Sequence, residues 1–228
     1  MINEHFNYWL SIQGIEKIIN IFNKEKFDIR FIGGCVRDAF LGKKNADIDL
    51  AINCEPNCTI SILKKNNIEI LDYAKQYGSI TAVIKKNSFQ ITSLRQDFNQ
   101  DGRNTEVKFT QDWEKDALRR DFTFNAISVN SDGKIIDYFD GIEDLNLKQV
   151  KFIGDIEKRI KEDYLRIFRY YRFLGIFDKP KIKESYDEII LNNMSYALKK
   201  LSNEIIRVEI LKMLNNFFPI NSFSNNYK

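Results

Sequence analysis

Residues 31–52 constrain the fold of this chain more than any other stretch, because they read as a strand, a glycine turn, a short helix and a second strand. Gly33 and Gly34 allow the backbone to turn sharply after an apolar run and to approach a ligand closely. The helix that follows offers unpaired N–H groups and the positive end of its dipole, which suit a triphosphate. Arg37, one turn into that helix, adds a charged fork.

Two aspartates follow the glycine turn. Asp47 and Asp49 are separated by one residue in the predicted second strand. Residues i and i+2 of a strand face the same side, so the two carboxylates should project together, about 7 Å apart, with Ile48 and Leu50 buried behind them. Such a pair supplies the oxygen ligands that Mg²⁺ requires and leaves positions for substrate phosphates. An isolated Asp-x-Asp is more often a solvated strand edge, but the preceding glycine turn favours the metal site.

Residues 112–127 form a second informative segment. Acidic residues open a predicted helix and an arginine pair closes it, which complements the helix dipole. Helix capping accounts for this pattern up to Arg119, but it does not account for the run Arg-Arg-Asp-Phe-Thr-Phe-Asn-Ala at 119–126. Residues 95–105, which precede this segment, are polar and contain a glycine, so they are predicted to form a loop.

Residues 157–174 read as one amphipathic helix with an apolar face. Asp163 and Arg166 are three residues apart and are therefore predicted to be neighbours on the other face. A surface ion pair worth about 0–1 kcal/mol would show the same spacing. The alternative is base recognition. A carboxylate that accepts from an exocyclic amine and an arginine that donates to a ring acceptor fit cytosine and adenine, whereas guanine and uracil would leave buried polar groups unpaired.

Composition and charge exclude several other classes. The 228 residues suffice for one large or two small domains, and three cysteines with a single histidine argue against a zinc site. No window approaches a membrane span, and the N-terminus lacks the features of a signal or transit peptide, so a cytoplasmic location is expected. The net charge is +3, and the positive excess lies in residues 151–228, where a phosphate backbone would be attracted, although a solvated helical surface would show the same excess.

Together these segments carry the pattern of a known family. Gly-Gly-x-Val-Arg-Asp with Asp-x-Asp, the run at 119–126 and Glu162-Asp163-x-x-Arg166 resemble motifs A, B and D of the class II tRNA nucleotidyltransferase and poly(A) polymerase family. Weaker matches at 137–145 and 201–209 resemble motifs C and E. The resemblance implies an α+β fold: a polymerase-β-like nucleotidyltransferase head, with a small mixed or antiparallel sheet and helices, followed by an all-helical neck. Residues 1–148 are predicted to be the catalytic head and residues 149–228 the nucleotide-selecting neck.

The resemblance also implies roles for individual residues. Asp47 and Asp49 are predicted to be catalytic and to bind Mg²⁺. Asp121 and Asn125 are expected to brace the site. On a continuous helix Arg172 would lie about 180° around the axis from Asp163, so a phosphate, the tRNA end or a neighbouring helix is an alternative contact for it. The predicted nucleotide-binding residues are Gly33, Gly34, Arg37, Arg120, Asp163, Arg166, Arg169 and Arg172.

The predicted function is template-independent addition of C, C and A from CTP and ATP to the 3′ end of tRNA. Addition of C or A alone, or poly(A) synthesis, is the alternative within the enzyme class, and a catalytically dead RNA-binding remnant is the alternative outside it. Related enzymes usually continue into body and tail domains, so a minimal enzyme and a fragment are both open. The basic C-terminal third, a second copy of the chain or a helper subunit is expected to help hold tRNA.

Overall fold

The computed structural model of the chain describes residues 2–44, 47–101 and 104–223. These residues divide into two compact units. The first unit comprises Met1–Gln96, Val107–Arg120 and Phe124–Ile142. The second unit comprises Asp97–Glu106, Asp121–Thr123 and Glu143–Lys228.

A seven-stranded mixed sheet forms the centre of the first unit. Its strands are β1 (Ile29–Ile32), β2 (Asp49–Ile52), β3 (Glu69–Leu71), β4 (Ser79–Ile84), β5 (Asn87–Ser93), β8 (Ser128–Asn130) and β9 (Ile135–Ile136). They lie in the order β3-β4-β5-β2-β1-β8-β9. The paired strands are antiparallel except for β2 and β5, which are parallel. In the register of β1 with β2, Ile32 lies opposite Asp49, so the end of the first strand meets the start of the second.

Helices cover the sheet of the first unit because their apolar faces must be buried. The helices are α1 (Ile2–Ser11), α2 (Ile15–Lys24), α3 (Gly34–Phe40), α4 (Pro56–Lys65) and α5 (Trp113–Leu118), and α6 (Gly141–Asn146) begins at the end of the unit. Trp9 of α1 is fully buried and its ring lies 4.9 Å from that of Phe31 on β1. Large apolar side chains that lose all contact with water contribute about 1.5–3 kcal/mol each, which anchors this helix to the sheet.

The prediction of a loop at residues 95–105 is wrong. Strands β6 (Arg95–Asp101) and β7 (Asn104–Phe109) pair as a separate two-stranded sheet. The ribbon carries too few apolar residues to show the alternation that identifies a half-buried strand, so its backbone pairing was not visible in the composition. Residues 102 and 103, which belong to the predicted loop motif, lie outside the described residues.

The second unit is built mainly from α-helices. They are α7 (Ile156–Glu162), α8 (Leu165–Leu174), α9 (Glu184–Lys200) and α10 (Asn203–Leu214). A cluster of aromatic rings forms the core, with Phe122 lying 4.8 Å from Phe152 and 5.3 Å from Phe173, and Tyr170 stacked 5.9 Å from Phe152. The predicted α+β class, a mixed sheet with helices and a helical second part, is confirmed. None of the described helices is both long enough and apolar enough to cross a bilayer.

The prediction of one continuous helix over residues 157–174 is also wrong. The helix is interrupted at Asp163, whose backbone is extended at φ −151° and ψ 105°. The carboxylate of Asp163 accepts a hydrogen bond of 3.0 Å from the backbone N–H of Leu165, where α8 begins. Aspartate competes with helix formation by making such local bonds, and here it separates two helices that share an apolar periodicity.

Candidate active site

The turn between β1 and α3 brings the predicted phosphate-binding glycine beside two charged groups. Gly33 has φ 69° and ψ −131°, a conformation that is essentially restricted to glycine. A methyl group placed at Gly33 would lie 3.8 Å from Oδ2 of Asp49 and 3.9 Å from Nη1 of Arg120. The turn, the carboxylate and the guanidinium therefore meet at one point of the first unit, although they are far apart in the sequence.

The two predicted metal ligands lie at the start of β2. Asp49 opens the strand, whereas Asp47 precedes it, so the prediction that both lie within the strand is wrong for Asp47. The alternation is nevertheless as expected, because Asp47 is exposed, Ile48 and Leu50 are buried, and Asp49 is half-buried. Burial raises the pKa of Asp49 above its usual value, the charge of Arg120 opposes that rise, and the charge of Asp47 adds to it.

The chemistry of this pair suits a hard divalent cation. A cation would relieve both the desolvation of Asp49 and its repulsion by Asp47, which are the causes that raise its pKa. Carboxylate oxygens from two residues, with the remaining positions left to water and substrate, are the usual protein contribution to a Mg²⁺ site. Among residues 2–44, 47–101 and 104–223, no group of three or more His, Cys, Asp and Glu side chains is placed to hold a metal ion. The carboxylates of Asp47 and Asp49 suit a divalent cation whose remaining positions are filled by water and substrate.

Two arginines of the first unit are held in fixed positions near this point. Arg37 donates to Asp38 at 2.7 Å and, through Nη1, to the side-chain oxygen of Asn125 at 3.0 Å. Arg120 donates from Nη1 to the backbone carbonyl of Asn125 at 3.2 Å and from Nη2 to Asp116 at 3.1 Å. Arg37 and Arg120 were predicted from the sequence to bind the nucleotide, whereas Asp116 was predicted only to contribute to helix capping. The i,i+4 spacing of Asp116 and Arg120 was the signal that could have identified it.

In the second unit the alternative of an exposed ion pair between Asp163 and Arg166 does not hold, because Arg166 is buried, and base recognition by these two residues stays a prediction. Arg166 is only 5% exposed, and its Nη1 donates to the carbonyl of Arg159 at 2.7 Å and to Glu162 at 2.8 Å. Glu162 also accepts from Arg159, and burial together with the charge of Arg166 lowers the pKa of Arg159 to about 10. Because the helix breaks at Asp163, Arg166 turns inward and Glu162 bridges two guanidinium groups.

The other two predicted nucleotide-binding arginines of the second unit are paired with buried carboxylates. Arg169 donates to Asp121 at 2.5 Å. Arg172 pairs with Glu209 of α10 at 2.8 Å. Glu209 lies in the weak motif match at 201–209, and its burial at 3% exposure makes it an anchor for Arg172.

Comparisons with known proteins agree with these observations. Residues 29–151 match the model of the poly(A) polymerase head domain. The chain is 41% identical over 207 residues to the human protein named CCA tRNA nucleotidyltransferase 1, mitochondrial, a match that covers 90% of this chain and 48% of the relative. It is 36% identical over 202 residues to the CCA-adding enzyme of Enterococcus faecalis, covering 86% of this chain and 48% of that enzyme.

A solved structure agrees as well. The crystal structure of the Bacillus stearothermophilus CCA-adding enzyme in complex with CTP superposes with a TM-score of 0.81 at 30% identity, over 92% of this chain and 50% of that one. The chain thus spans about half the length of the relatives it matches. Since the family model covers more than half of the 228 residues and includes the glycine turn, the aspartate pair and Arg120, the chain belongs to the poly(A) polymerase head-domain family, as its motifs predicted.

Proposed function

We propose that this chain is a template-independent nucleotidyltransferase that adds C, C and A from CTP and ATP to the 3′ end of tRNA. The observation that carries the proposal is the meeting of the Gly33 turn, Asp49 and Arg120 in the first unit. A glycine turn that lies beside both a carboxylate and a guanidinium can accept a triphosphate and a cation together. The relatives named CCA tRNA nucleotidyltransferase and CCA-adding enzyme support the choice of substrates.

Asp47 and Asp49 would hold Mg²⁺ in this proposal. When bound, the ion lowers the pKa of the attacking hydroxyl and offsets charge on the phosphoryl group. Arg120 and Arg37 bind the phosphates, and their guanidinium forks suit phosphate oxygens better than a lysine would. The 3′-hydroxyl of the tRNA attacks the α-phosphate, and pyrophosphate leaves while these side chains hold it. Catalysis of this kind rests on positioning and on fixed charge.

Choice of nucleotide is assigned to residues 149–228, and catalysis to residues 1–148. Asp163 and Arg166 are the proposed readers of the base edge. Glu162 supports this role, because its bond to Nη1 of Arg166 fixes the position of the guanidinium. Arg169 and Arg172 stay predicted nucleotide-binding residues, and their pairs with Asp121 and Glu209 favour a supporting role.

The proposed partners are tRNA, CTP and ATP. The basic excess of residues 151–228 favours an electrostatic contribution of that part of the chain to RNA binding. Support from a second copy or a helper subunit stays a prediction. The cytoplasmic location also stays a prediction, since one relative is named as mitochondrial.

An extension assay tests the function. tRNAs that end before, within and just short of CCA are each incubated with labelled CTP or ATP and Mg²⁺, and the products are sized. We expect C, C and A to be added, followed by a stop. A long ladder of A would identify a poly(A) polymerase, and addition of C or A alone would identify a partial enzyme. No incorporation into any tRNA would refute the proposal in favour of a non-catalytic RNA-binding protein.

Two variants connect that activity to the site. Asp47→Ala and Asp49→Ala should each abolish incorporation without unfolding the protein. The matched control is Asp72→Ala, which removes an exposed carboxylate of the same unit. Full activity in either site variant would exclude the metal-binding role, whereas loss of activity in the control would show that the assay responds to unspecific damage.

A further inference from the structure

We infer that Asp116 is a positioning residue, which holds the guanidinium groups of Arg119 and Arg120 so that Arg120 receives the triphosphate of the incoming nucleotide. The inference rests on the proposed function, because it assumes that Arg120 binds that triphosphate. Asp116 does not itself contact substrate in this role, and in the sequence it is one of several acidic residues near the start of a helix.

The carboxylate of Asp116 is saturated with donors. Asp116 is 3% exposed, and its Oδ1 accepts from Nε of Arg119 at 3.0 Å, from Nη2 of Arg119 at 2.9 Å and from the backbone N–H of Arg95 at 3.1 Å. Its Oδ2 accepts from Nη2 of Arg120 at 3.1 Å. Each oxygen is thus committed to a different arginine side chain, so a shift of the carboxylate would move both guanidinium groups.

The charge balance shows that Asp116 stays ionised. Burial alone would raise its pKa, but the positive charges of Arg120 and Arg119 and the bond from Arg95 outweigh it, so the pKa lies below its usual value. A buried carboxylate that carries its charge next to two cations gives strong, charge-assisted hydrogen bonds. These bonds restrain the two side chains far more than exposed ion pairs would.

Both arginine side chains are more exposed to solvent than the carboxylate that holds them. The side chains of Arg119 and Arg120 are 17% and 16% exposed, whereas that of Asp116 is 4% exposed. Arg120 is held on its other side by the carbonyl of Asn125, and its Nη1 lies 3.9 Å from the point where a methyl group on Gly33 would be. A guanidinium that is already immobilised loses less conformational entropy when it binds a phosphate, which increases affinity.

A second aspartate of the same helix has a different role and serves as the control. Asp112 is the N-cap of α5, and its side chain accepts from the backbone N–H groups of Glu114 and Lys115. Loss of an N-cap costs about 1 kcal/mol of helix stability. Asp112→Ala therefore weakens α5 without removing a partner of either arginine.

The test measures binding and turnover on the full chain. We expect Asp116→Asn to raise the Kd for CTP, measured by calorimetry, and the KM for CTP about tenfold or more, since bonds to charged groups are worth about 1.5–3 kcal/mol. The KM for tRNA and the kcat at saturating CTP should stay within about threefold of wild type. Asp112→Ala should leave all four constants close to wild type, although it lowers the unfolding midpoint. Asp116→Glu keeps the negative charge, so its Kd for CTP should lie between those of wild type and Asp116→Asn. It is measured in place of Asp116→Asn if that variant does not fold.

A double-mutant cycle with Arg120→Ala separates positioning from general damage. If Asp116 acts through Arg120, Asp116→Asn should change the Kd for CTP much less in the Arg120→Ala background than in wild type. An equal effect in both backgrounds, an unchanged Kd in Asp116→Asn, or a wild-type chain that does not bind CTP would overturn the inference. If CTP binding depends on Asp116 as described but no nucleotide is incorporated, the proposed function fails and the positioning role stands. If nucleotides are incorporated and Asp116→Asn is indistinguishable from wild type, the positioning role fails and the proposed function stands.

Discussion

Replacing Glu209 with glutamine should strongly destabilise the second unit, because it removes the charge that compensates a buried arginine. Glu209 is 3% exposed and lies 2.8 Å from Nη1 of Arg172, which joins α10 to α8. It also accepts from Lys212 at 2.9 Å, but the lysine side chain is 51% exposed and can return to water. The side chain of Arg172 is only 14% exposed, so its charge would stay largely desolvated after the loss of the Glu209 carboxylate.

The size of the effect follows from this difference in burial. Breaking a buried ion pair by removing one partner costs about 3–5 kcal/mol, whereas an exposed pair is worth about 0–1 kcal/mol. A loss of about 3 kcal/mol should lower the unfolding midpoint by roughly 6–12 °C in a chain of this length. Lys212→Gln, the control at the exposed partner of the same carboxylate, should lower it by only about 2–4 °C at most.

Thermal unfolding followed by circular dichroism measures both variants. Removing both buried charges, in Glu209→Gln with Arg172→Met, should recover most of the loss, since a buried ion pair often exchanges for apolar packing without a net cost. The reasoning would be refuted if Glu209→Gln unfolded within about 2 °C of wild type, or if the double variant were as unstable as the two single losses combined. The same series bears on Arg172: a stability loss without a change in the Kd for CTP would favour an anchoring role over its predicted nucleotide contact.

Three further outcomes are expected. Gly33→Ala should cost about 1–3 kcal/mol and reduce nucleotide incorporation, because alanine is strained in that backbone conformation; urea unfolding and the extension assay measure both, and a fully active, equally stable variant would contradict the assignment of the turn. Trp9→Ala should cost about 3–5 kcal/mol in urea unfolding, since it empties a fully buried site next to Phe31, and a cost below about 1 kcal/mol would contradict the packing of that helix. The stability that Asp116 contributes as a carboxylate should be fully present above pH about 4 and should be lost as the pH falls through its lowered folded-state pKa. The difference in unfolding free energy between wild type and Asp116→Asn should therefore become smaller as the pH falls below about 4. A difference that stays constant down to pH about 3 would show that the charge of Asp116 does not contribute to stability.

The chemistry-bearing motif could be predicted because its signals are local. Glycines that need a special backbone conformation, an alternating Asp-x-Asp and an arginine one helical turn away are all visible within residues 31–52. The structure confirms the strand, turn and helix there, and the family match confirms the resemblance on which the fold was predicted. The predicted start of β2 is two residues too early. The alternation of exposed and buried residues begins at Asp47, whereas the backbone pairing of the strand begins at Asp49.

The ribbon β6–β7 and the break at Asp163 were not predictable in the same way. A polar ribbon has no apolar alternation, so only the pairing of its backbone identifies it. The two helices on either side of Asp163 keep the periodicity of one helix. The break is visible only in the extended backbone of Asp163 and in the bond that its side chain accepts from Leu165.

The sequence alone determined the family, through its resemblance to motifs A, B and D, and the α+β class that this resemblance implied, because each motif is a short run of neighbouring residues. Only the tertiary structure decided which charges are buried and which partner each one has. Arg166 is buried and donates to Glu162, and Arg172 pairs with Glu209 on another helix. Asp116 accepts hydrogen bonds from two arginine side chains. The physical reason is that the strength of an ion pair depends on desolvation and on contacts through space. Neither can be inferred from the spacing of residues along the sequence.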